Sequence, residues 1–417
     1  MIPASGVQQE IRMFYGLDIH KRFIQVCRLD ANGGDRCDFR IDADRPSILK
    51  FAASLTCQDA AVMETTFHTW AIWSLLKEHG NGARIEVANS MQVKAIADAR
   101  IKTDKIDAHI LAQLLRTDFI PAVIMPDDQT WQLRQLMTHR QLLARHRTAT
   151  RNAVCGILHR KLLSAPVREL FGPTGRRWLH EQHYSDIERL MLDGALAHLD
   201  SIETRIGAVD ARLREMSCHS TQVKLLMTIP GVNVTVANGL IAAIGDIARF
   251  DSPQKLTAYF GLVPRVSQSA DRCFYGPITK DGRSQARWLA VEAAHGLVTC
   301  GSPLTASYHR IRRKKCHNVA VVALARKLVI VVWHLLTHQE PYRYAPVVRT
   351  RAKLRRVSPA VPPAKIGCIP RTLEEIYAEI GLPQPRSASA GERRAAANNR
   401  RCVTRYRKTP VHAPMES

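Results

Sequence analysis

Through the first hundred positions apolar residues come in short runs or alternate with polar ones, and beyond that they recur at threes and fours. Met13 to Leu17 is a short apolar run closed by Asp18. Phe23 to Leu29 alternates after a four-residue connection, which predicts a β-hairpin, and Phe39 to Ile41 predicts a third strand. Pro46 opens a helix through Leu55, because proline is favoured in a first helical turn. Ala60 to Met63 is a brief apolar strand ending at Glu64. Trp70 to His79 reads as a helix stopped by Gly80, Arg84 to Val87 as a strand, and Asp104 to about Arg116 as a helix after the loop around Lys102.

Three strands, helix, strand, helix, strand, helix is the order of an α/β RNase H-like (RuvC-like) domain, expected over residues 1–125. In that layout the ends of the first and fourth strands lie side by side, and the last helix packs across them. Asp18, Glu64, Asp104 and Asp107 would then converge. Asp104 and Asp107 are three apart, hence neighbours on a helix. Each acid also has a plain reading: Asp18 in a turn, Glu64 as a strand-end charge, and the Asp104/Asp107 pair as a solvated face neutralised by Lys102 and Lys105. Convergence of all four favours metal binding. Carboxylates are hard oxygen ligands suited to Mg²⁺, and paired cations can clamp the attacking and leaving oxygens of a phosphodiester.

After Pro121 and Pro126 the character changes to helical and basic. Residues 126–217 are expected to form a helical arm: a basic helix from Gln129 to Lys161, then a second helix from Ser185 to about Met216. In the second, Leu192, Leu196, Leu199, Ile202, Ile206, Val209, Leu213 and Met216 make an amphipathic seam. It fits either a helical hairpin burying its own stripe or a coiled coil that pairs subunits. Residues 218–345 predict a mostly α-helical domain, in which Pro230-Gly231 before the helix Val234 to Ile244 makes a helix-hairpin-helix-like element. Backbone amides after Gly231 could meet a phosphate there, or the turn is an ordinary tight connection. A short helix from Pro253 to Phe260 precedes a polar loop, Leu262 to Arg272, and a turn rich in glycine and cations, Gly276 to Arg283. Arg265, Arg272, Lys280 and Arg283 mark this stretch as a candidate nucleic-acid surface, together with Lys102 and Lys105. Its serines are either solvated or a hydroxyl nucleophile. Ser284 can cap a helix to Val298. The apolar run Val319 to Leu336 is broken by Arg326 and Lys327 and predicts a buried helix rather than a membrane span. Residues 346–417 predict a basic, largely disordered tail, with Leu373 to Ile380 as a short helix.

Composition adds a partner. The 417 residues carry 60 Lys and Arg against 37 acids, a formal charge of +23, which points to a polyanion and first to nucleic acid. The ten cysteines are scattered with no C-x-x-C pair, so a zinc ribbon or redox motif is not expected and a reducing cytoplasm is. Met1 to Gln9 shows no signal-peptide pattern.

Taken in order, several motifs are specific. They are Gly16-Leu17-Asp18-Ile19-His20-Lys21, Met63-Glu64-Thr65-Thr66, Lys102-Thr103-Asp104-Lys105-Ile106-Asp107-Ala108 and Ile229-Pro230-Gly231-Val232. Further on come Ile244 to Phe250, Ala258 to Pro264 and Gly276-Pro277-Ile278-Thr279-Lys280. Through them, over roughly residues 12 to 340, the chain resembles DEDD-type insertion-sequence transposases, the IS-one-ten family with its IS-eleven-eleven group, and is similar to pilin-gene-inverting recombinases. The resemblance implies a RuvC-like domain whose acids, here Asp18, Glu64, Asp104 and Asp107, hold Mg²⁺, with Mn²⁺ as a substitute. It implies a serine that attacks DNA phosphate and becomes covalently linked. Counted back from Gly276 this is Ser269, with Ser267 as a rival, because Ala270 stands where the family usually has glycine. It further implies donor and target DNA, a structured guide RNA from the element, a homo-oligomer (dimer or tetramer) and a bacterial, cytoplasmic, nucleoid-associated setting with no membrane.

The expected activity is therefore Mg-dependent strand cleavage and exchange through a serine, RNA-guided. The alternatives are a metal-dependent nuclease or junction resolvase that uses water, and a nucleic-acid-binding protein without catalysis.

Overall fold

A computed structural model of the chain describes residues 11–96, 103–269, 272–300, 302–357 and 372–385. Two compact units divide it, Met1–Pro126 and Asp127–Ser417.

The first unit runs β1 (Met13–Ile19), β2 (Phe23–Asp30), β3 (Cys37–Asp42), α1 (Arg45–Ser54), β4 (Asp59–Glu64), α2 (Thr69–His79), β5 (Arg84–Ala88), α3 (Ser90–Ile96) and α4 (Asp104–Arg116). The sheet order is β3-β2-β1-β4-β5. β1, β2 and β3 pair antiparallel, and β1, β4 and β5 pair parallel. This is the RNase H-like arrangement that the element order predicts.

Side chains alternate across a strand, and strands β1, β2, β4 and β5 bury residues while the edge strand β3 buries none. Leu17, Val26, Ala61 and Met63 pack with Ile48, Phe51, Ile72 and Leu76 of α1 and α2. Phe14, Ala60 and Val62 pack with Leu111 and Leu115 of α4. Gly16 is what lets α4 lie close on β1, since a Cβ there would run into the Ala108 carbonyl and the Ala112 amide of α4. Thr103 starts α4, its hydroxyl accepting from the Ile106 amide at 3.3 Å. The short α3 is not foreseen by the sequence reading.

The second unit begins with α5 (Asp128–Arg160), α6 (Pro173–Glu181) and α7 (Asp186–Cys218). α5 and α7 lie antiparallel, and Arg140–Asp210, Arg151–Glu203 and Lys161–Glu188 step down the pair. The seam from Leu192 to Leu213 is buried inside the chain, against Val154, Ile157 and Leu158 at one end and Leu133, Met137 and Leu143 at the other.

Then follow α8 (Thr221–Met227), α9 (Val234–Ile244), α10 (Pro253–Tyr259), β6 (Pro264–Ser269), β7 (Arg272–Ile278), α11 (Ser284–Val298), α12 (Thr305–Arg312), α13 (His317–His338), α14 (Val347–Leu354) and α15 (Leu373–Glu379). α13 is long and apolar enough to cross a membrane. Its Val321, Leu324, Leu328 and Val332 are buried in the core of this unit.

Two expectations are corrected. The stretch read as a polar loop and a glycine turn is an antiparallel ribbon, β6–β7, with Ser269 opposite Arg272 and Ser267 opposite Phe274. Neither strand buries a residue, so the apolar alternation that marks a half-buried strand is missing. The chain also does not leave the core at Pro346. Leu354, Val357, Ile376 and Tyr377 are all within 1% of full burial, and the Tyr377 hydroxyl donates to the Tyr342 carbonyl at 2.8 Å. These few apolar anchors sit among so many arginines that composition hides them. Residues 358–371 and 386–417, which hold the rest of the expected tail, lie outside the described residues.

Candidate active site

Asp18 is the last residue but one of β1, and Glu64 ends β4. These strands are neighbours in parallel register, Leu17 beside Met63, so the two acids follow at the same edge. α4 then crosses β1 with Asp104 and Asp107 in its first turn, where acids also suit the positive end of a helix.

His20 ties the cluster together. Its Nε2 lies 2.9 Å from Asp18 Oδ2 and 3.3 Å from Asp104 Oδ1. One ligand atom from each of Asp18, His20 and Asp104 fits within a 4.8 Å cluster, a spacing that can hold a metal ion. Arg40 reaches Asp104 from β3 at 3.4 Å. It stacks over Phe23 at 4.3 Å and donates to Gln25, a buried glutamine in β2, at 2.9 Å.

Burial pushes the Asp18 carboxyl above its ordinary value; His20 pulls it down, and the charges of Asp107 and Asp104 push it up further. Carboxylates that crowd one another in a half-buried site are a donor set that a cation relieves, so the residues present fit a hard divalent ion.

Of the four acids expected here, Asp18 and Asp104 meet around His20 and Asp107 acts on the Asp18 charge, while Glu64 stands at the end of the neighbouring strand; His20 and Arg40 were not among the expected residues. His20 carried a signal, standing two residues after Asp18 in the same motif. Arg40 carried none, since only the β2–β3 register, Gln25 opposite Arg40, brings it to the site.

Ser267 and Ser269 belong to the second unit, exposed on β6 two residues apart and so on one face of the ribbon. Ala270 and Asp271, where the chain departs from the usual glycine, lie outside the described residues, as does Lys102. Lys105, Arg272 and Lys280 are exposed. Arg265 reaches back to the Thr279 carbonyl at 3.5 Å.

The ribbon's base is firmly held. Arg287 donates to the Phe260 carbonyl at 3.2 Å and the Lys280 carbonyl at 3.0 Å. Gly261, at φ +64°, lies so close to the Asp281 backbone that a side chain would not fit. Beside this base Arg283 Nε donates to the Tyr259 hydroxyl at 3.0 Å, and Arg249 lies 4.7 Å over the Tyr259 ring. Burial pushes the Tyr259 phenol up, but Arg283, Arg249 and Arg134 together bring it below its ordinary value. Arg134 is itself buried, donates to the Ala242 carbonyl at 2.6 Å, and is pushed down to about 10 by burial and by Arg283. No spacing in the sequence announced this arginine-ringed tyrosine.

Residues 15–162 match the model of the DEDD transposases of the IS110 group, and residues 223–310 match that of the transposase IS116/IS110/IS902 family. The chain belongs to this transposase family. Among its relatives, a putative transposase of Sinorhizobium fredii is 27% identical over 67% of this chain and 70% of its own length. The transposase for insertion sequence element IS1111A of Coxiella burnetii is 24% identical, over 79% and 90%. The pilin gene-inverting protein of Moraxella bovis is 23% identical, over 79% and 98%. The family member described here is thus a transposase, an enzyme that recombines DNA. Its DEDD class uses divalent metal, and the Asp18–His20–Asp104 cluster lies in the domain that the class is named for.

Proposed function

We propose that this transposase cleaves and exchanges DNA strands with Mg²⁺, or Mn²⁺ in its place, held by Asp18, Glu64, Asp104 and Asp107. The observation that carries this is the gathering of Asp18 and Asp104 around His20, with Asp107 close enough to act on the Asp18 charge. Bound cations would supply Lewis-acid activation of the scissile phosphate. The four acids would hold those ions, and Arg40 and His20 hold Asp104 and Asp18 in place.

Ser269, with Ser267 as its rival, is the nucleophile in this reading. Its hydroxyl oxygen bonds to phosphorus, its proton leaves, and the bond to one deoxyribose oxygen breaks, that oxygen leaving with a proton. Attack by the hydroxyl of another strand reverses the step and frees the serine. The exposed ribbon supports this role, because a strand hydroxyl there is open to DNA.

Guidance by a structured RNA from the element, with donor and target DNA as substrates, is part of the proposal. The exposed Arg145 and Arg160 of α5 and the +23 charge support it. We read the α5/α7 pair as a coiled-coil arm for self-association. Its seam is used inside the chain, but Leu162, Ile187 and Leu190 at one end of the arm are 92%, 71% and 75% exposed, a surface suited to a second copy. The turn at Gly231 we read as a helix-hairpin-helix-like nucleic-acid contact.

The test is covalent trapping on a denaturing gel. Wild type with DNA and Mg²⁺ should give a protein–DNA adduct that Ser269→Ala abolishes; an adduct undiminished by both Ser269→Ala and Ser267→Ala rejects the serine step. Cleavage with no adduct in wild type would instead favour water as nucleophile, a reading that the acid cluster, complete within one unit, also accommodates.

A further inference from the structure

α14 lies beyond both family matches, which end at residue 310, yet it packs onto the turn between α8 and α9. Lys353 makes the join. Its Nζ donates to the Ile229 carbonyl at 2.8 Å and the Val232 carbonyl at 3.1 Å, one on each side of Pro230-Gly231. An ammonium has three protons, so one remains.

Between the turn and α14 lies a cleft of 290 Å³, lined by Pro230, Gly231, Arg349, Thr350, Lys353 and Arg356 among others, and by no acid among the described residues. Arg349 and Lys353 stand at i and i+4, which puts two cations on one face of α14, and Arg356 follows in the turn just past the helix end and lines the same cleft. Among the described residues Arg349 meets only the Cys300 sulfur, at 3.3 Å, and Arg356 has no ion-pair partner. Thr350 is fully buried, and its Oγ1 has no hydrogen-bond partner among the described residues. A buried hydroxyl left unpaired costs about 1–3 kcal/mol, so a site that retains one is built for something that completes it.

A second cleft, of 150 Å³, shares Lys353 and Arg356 and continues to Asn233 and Thr235 at the start of α9. Asp210 on its wall is already paired, its two oxygens 2.6 and 3.1 Å from Arg140. The first amides of α9 have no partner within the helix, and a helix N-terminus favours anions.

We propose that this double cleft binds the phosphate backbone of nucleic acid, with one phosphate between the Pro230–Gly231 turn and the Arg349/Thr350/Lys353 face of α14 and the strand continuing past Arg356 to the start of α9. Two clefts that share Lys353 and Arg356, with Arg349 in one and Arg214 in the other, suit a chain of phosphates better than one small anion. The assignment rests on the nucleic-acid function above and adds a contact from outside the family-matched segments. Burial pushes the Lys353 ammonium down to about 8, a cost that a phosphate beside it would remove.

The experiment is binding of the full chain to labelled duplex DNA and to a labelled RNA hairpin, followed by fluorescence anisotropy over a series of KCl concentrations. Arg349→Ala/Arg356→Ala should lower affinity at every sequence tested and reduce the slope of log K against log salt by about 1 to 2, at roughly 0.9 per phosphate contact on duplex and 0.7 on single strands. Thr350→Val should lower affinity several-fold with the slope unchanged, since it removes a hydrogen bond and no charge. Arg45→Ala/Lys50→Ala, an equal loss of charge on α1, should leave the slope as it was. A wild-type slope in the α14 double variant, while wild type binds normally, overturns the cleft and spares the function; a wild type that binds neither nucleic acid overturns the function itself. An equal slope loss in the α1 control would reduce the effect to net charge and overturn the site. Inorganic phosphate provides the last arm: if it saturates the cleft by ³¹P NMR without competing with nucleic acid, the backbone assignment fails.

Discussion

The acids of the first unit and the serines of the second are held in opposite ways. Asp18 and Glu64 end strands whose neighbours are buried on both faces, and α4 is locked onto β1 at a glycine contact. Ser267 and Ser269 lie on a two-stranded ribbon that buries none of its residues. An isolated hairpin of that kind is marginally stable in water, so the ribbon depends on its anchored base. In the proposed reaction the difference has a use: metal ligands need sub-ångström preorganisation, whereas a serine nucleophile delivered to a large substrate could sit on an element that the substrate helps to order.

The sharpest way to break this contrast is Asp18→Asn or Asp104→Asn. Metal-dependent strand cleavage should fall by more than about 100-fold, the upper end of what even outer-shell changes cost a metal site. DNA affinity measured without metal should barely change. Equal loss of binding would mean that the acids serve the fold.

Gly16→Ala comes next. Forcing a methyl between β1 and the backbone of α4 should cost about 3 kcal/mol, seen as an earlier melting transition for the first unit with that of the second unmoved. A single shifted transition for the whole chain would show the two units unfolding together.

His20→Gln should weaken Mn²⁺ binding by roughly 10-fold, as for residues that orient ligands. Calorimetric titration reads this directly, and an unchanged affinity would remove His20 from the site. Smaller still, amide exchange in β6–β7 should be fast in the free protein and slow several-fold when DNA is added. Exchange as slow as in β1 and β4 before any DNA is present would erase the contrast.

The smallest effect concerns Lys353. Its folded-state pKa of about 8 is depressed by burial from an ordinary 10.5, with the Cys300 thiol pulling weakly the other way. Arg349, Arg356 and Arg214 also line the two clefts, with Asp210. Between about pH 8 and 10.5 the unfolded chain therefore holds more protons at this group, so the group's contribution to stability rises with pH across that window and is least favourable below it. Lys353→Met should flatten that part of the denaturation profile, and a profile unchanged by the substitution would show the ammonium to be solvated.

How far the residues alone reached varies by element. β1 to β5, the long helices and the buried α7 seam follow from hydrophobic periodicity, because burial on one face imprints its period on the chain. The β6–β7 ribbon and α14 do not, since the first buries nothing and the second hides two anchors among arginines. The four acids proposed for the site stand at strand ends and a helix start, positions the sequence shows. Arg40 and the arginines around Tyr259 were not legible in this way, because nothing local distinguishes a guanidinium that will meet a partner from one that faces water.

What the sequence determined by itself is therefore the α/β unit followed by helices, the cationic surplus and the positions of four acids at strand ends and a helix start. These are one-dimensional properties, carried by period, composition and motif. Only the tertiary structure decided that His20 bridges two acids, that the α7 seam is satisfied within the chain, and that Lys353 fastens α14 to a turn more than a hundred residues away. Apart from the local His20–Asp18 bond, those are contacts between distant segments, fixed by packing and by where polar groups find partners once water is excluded.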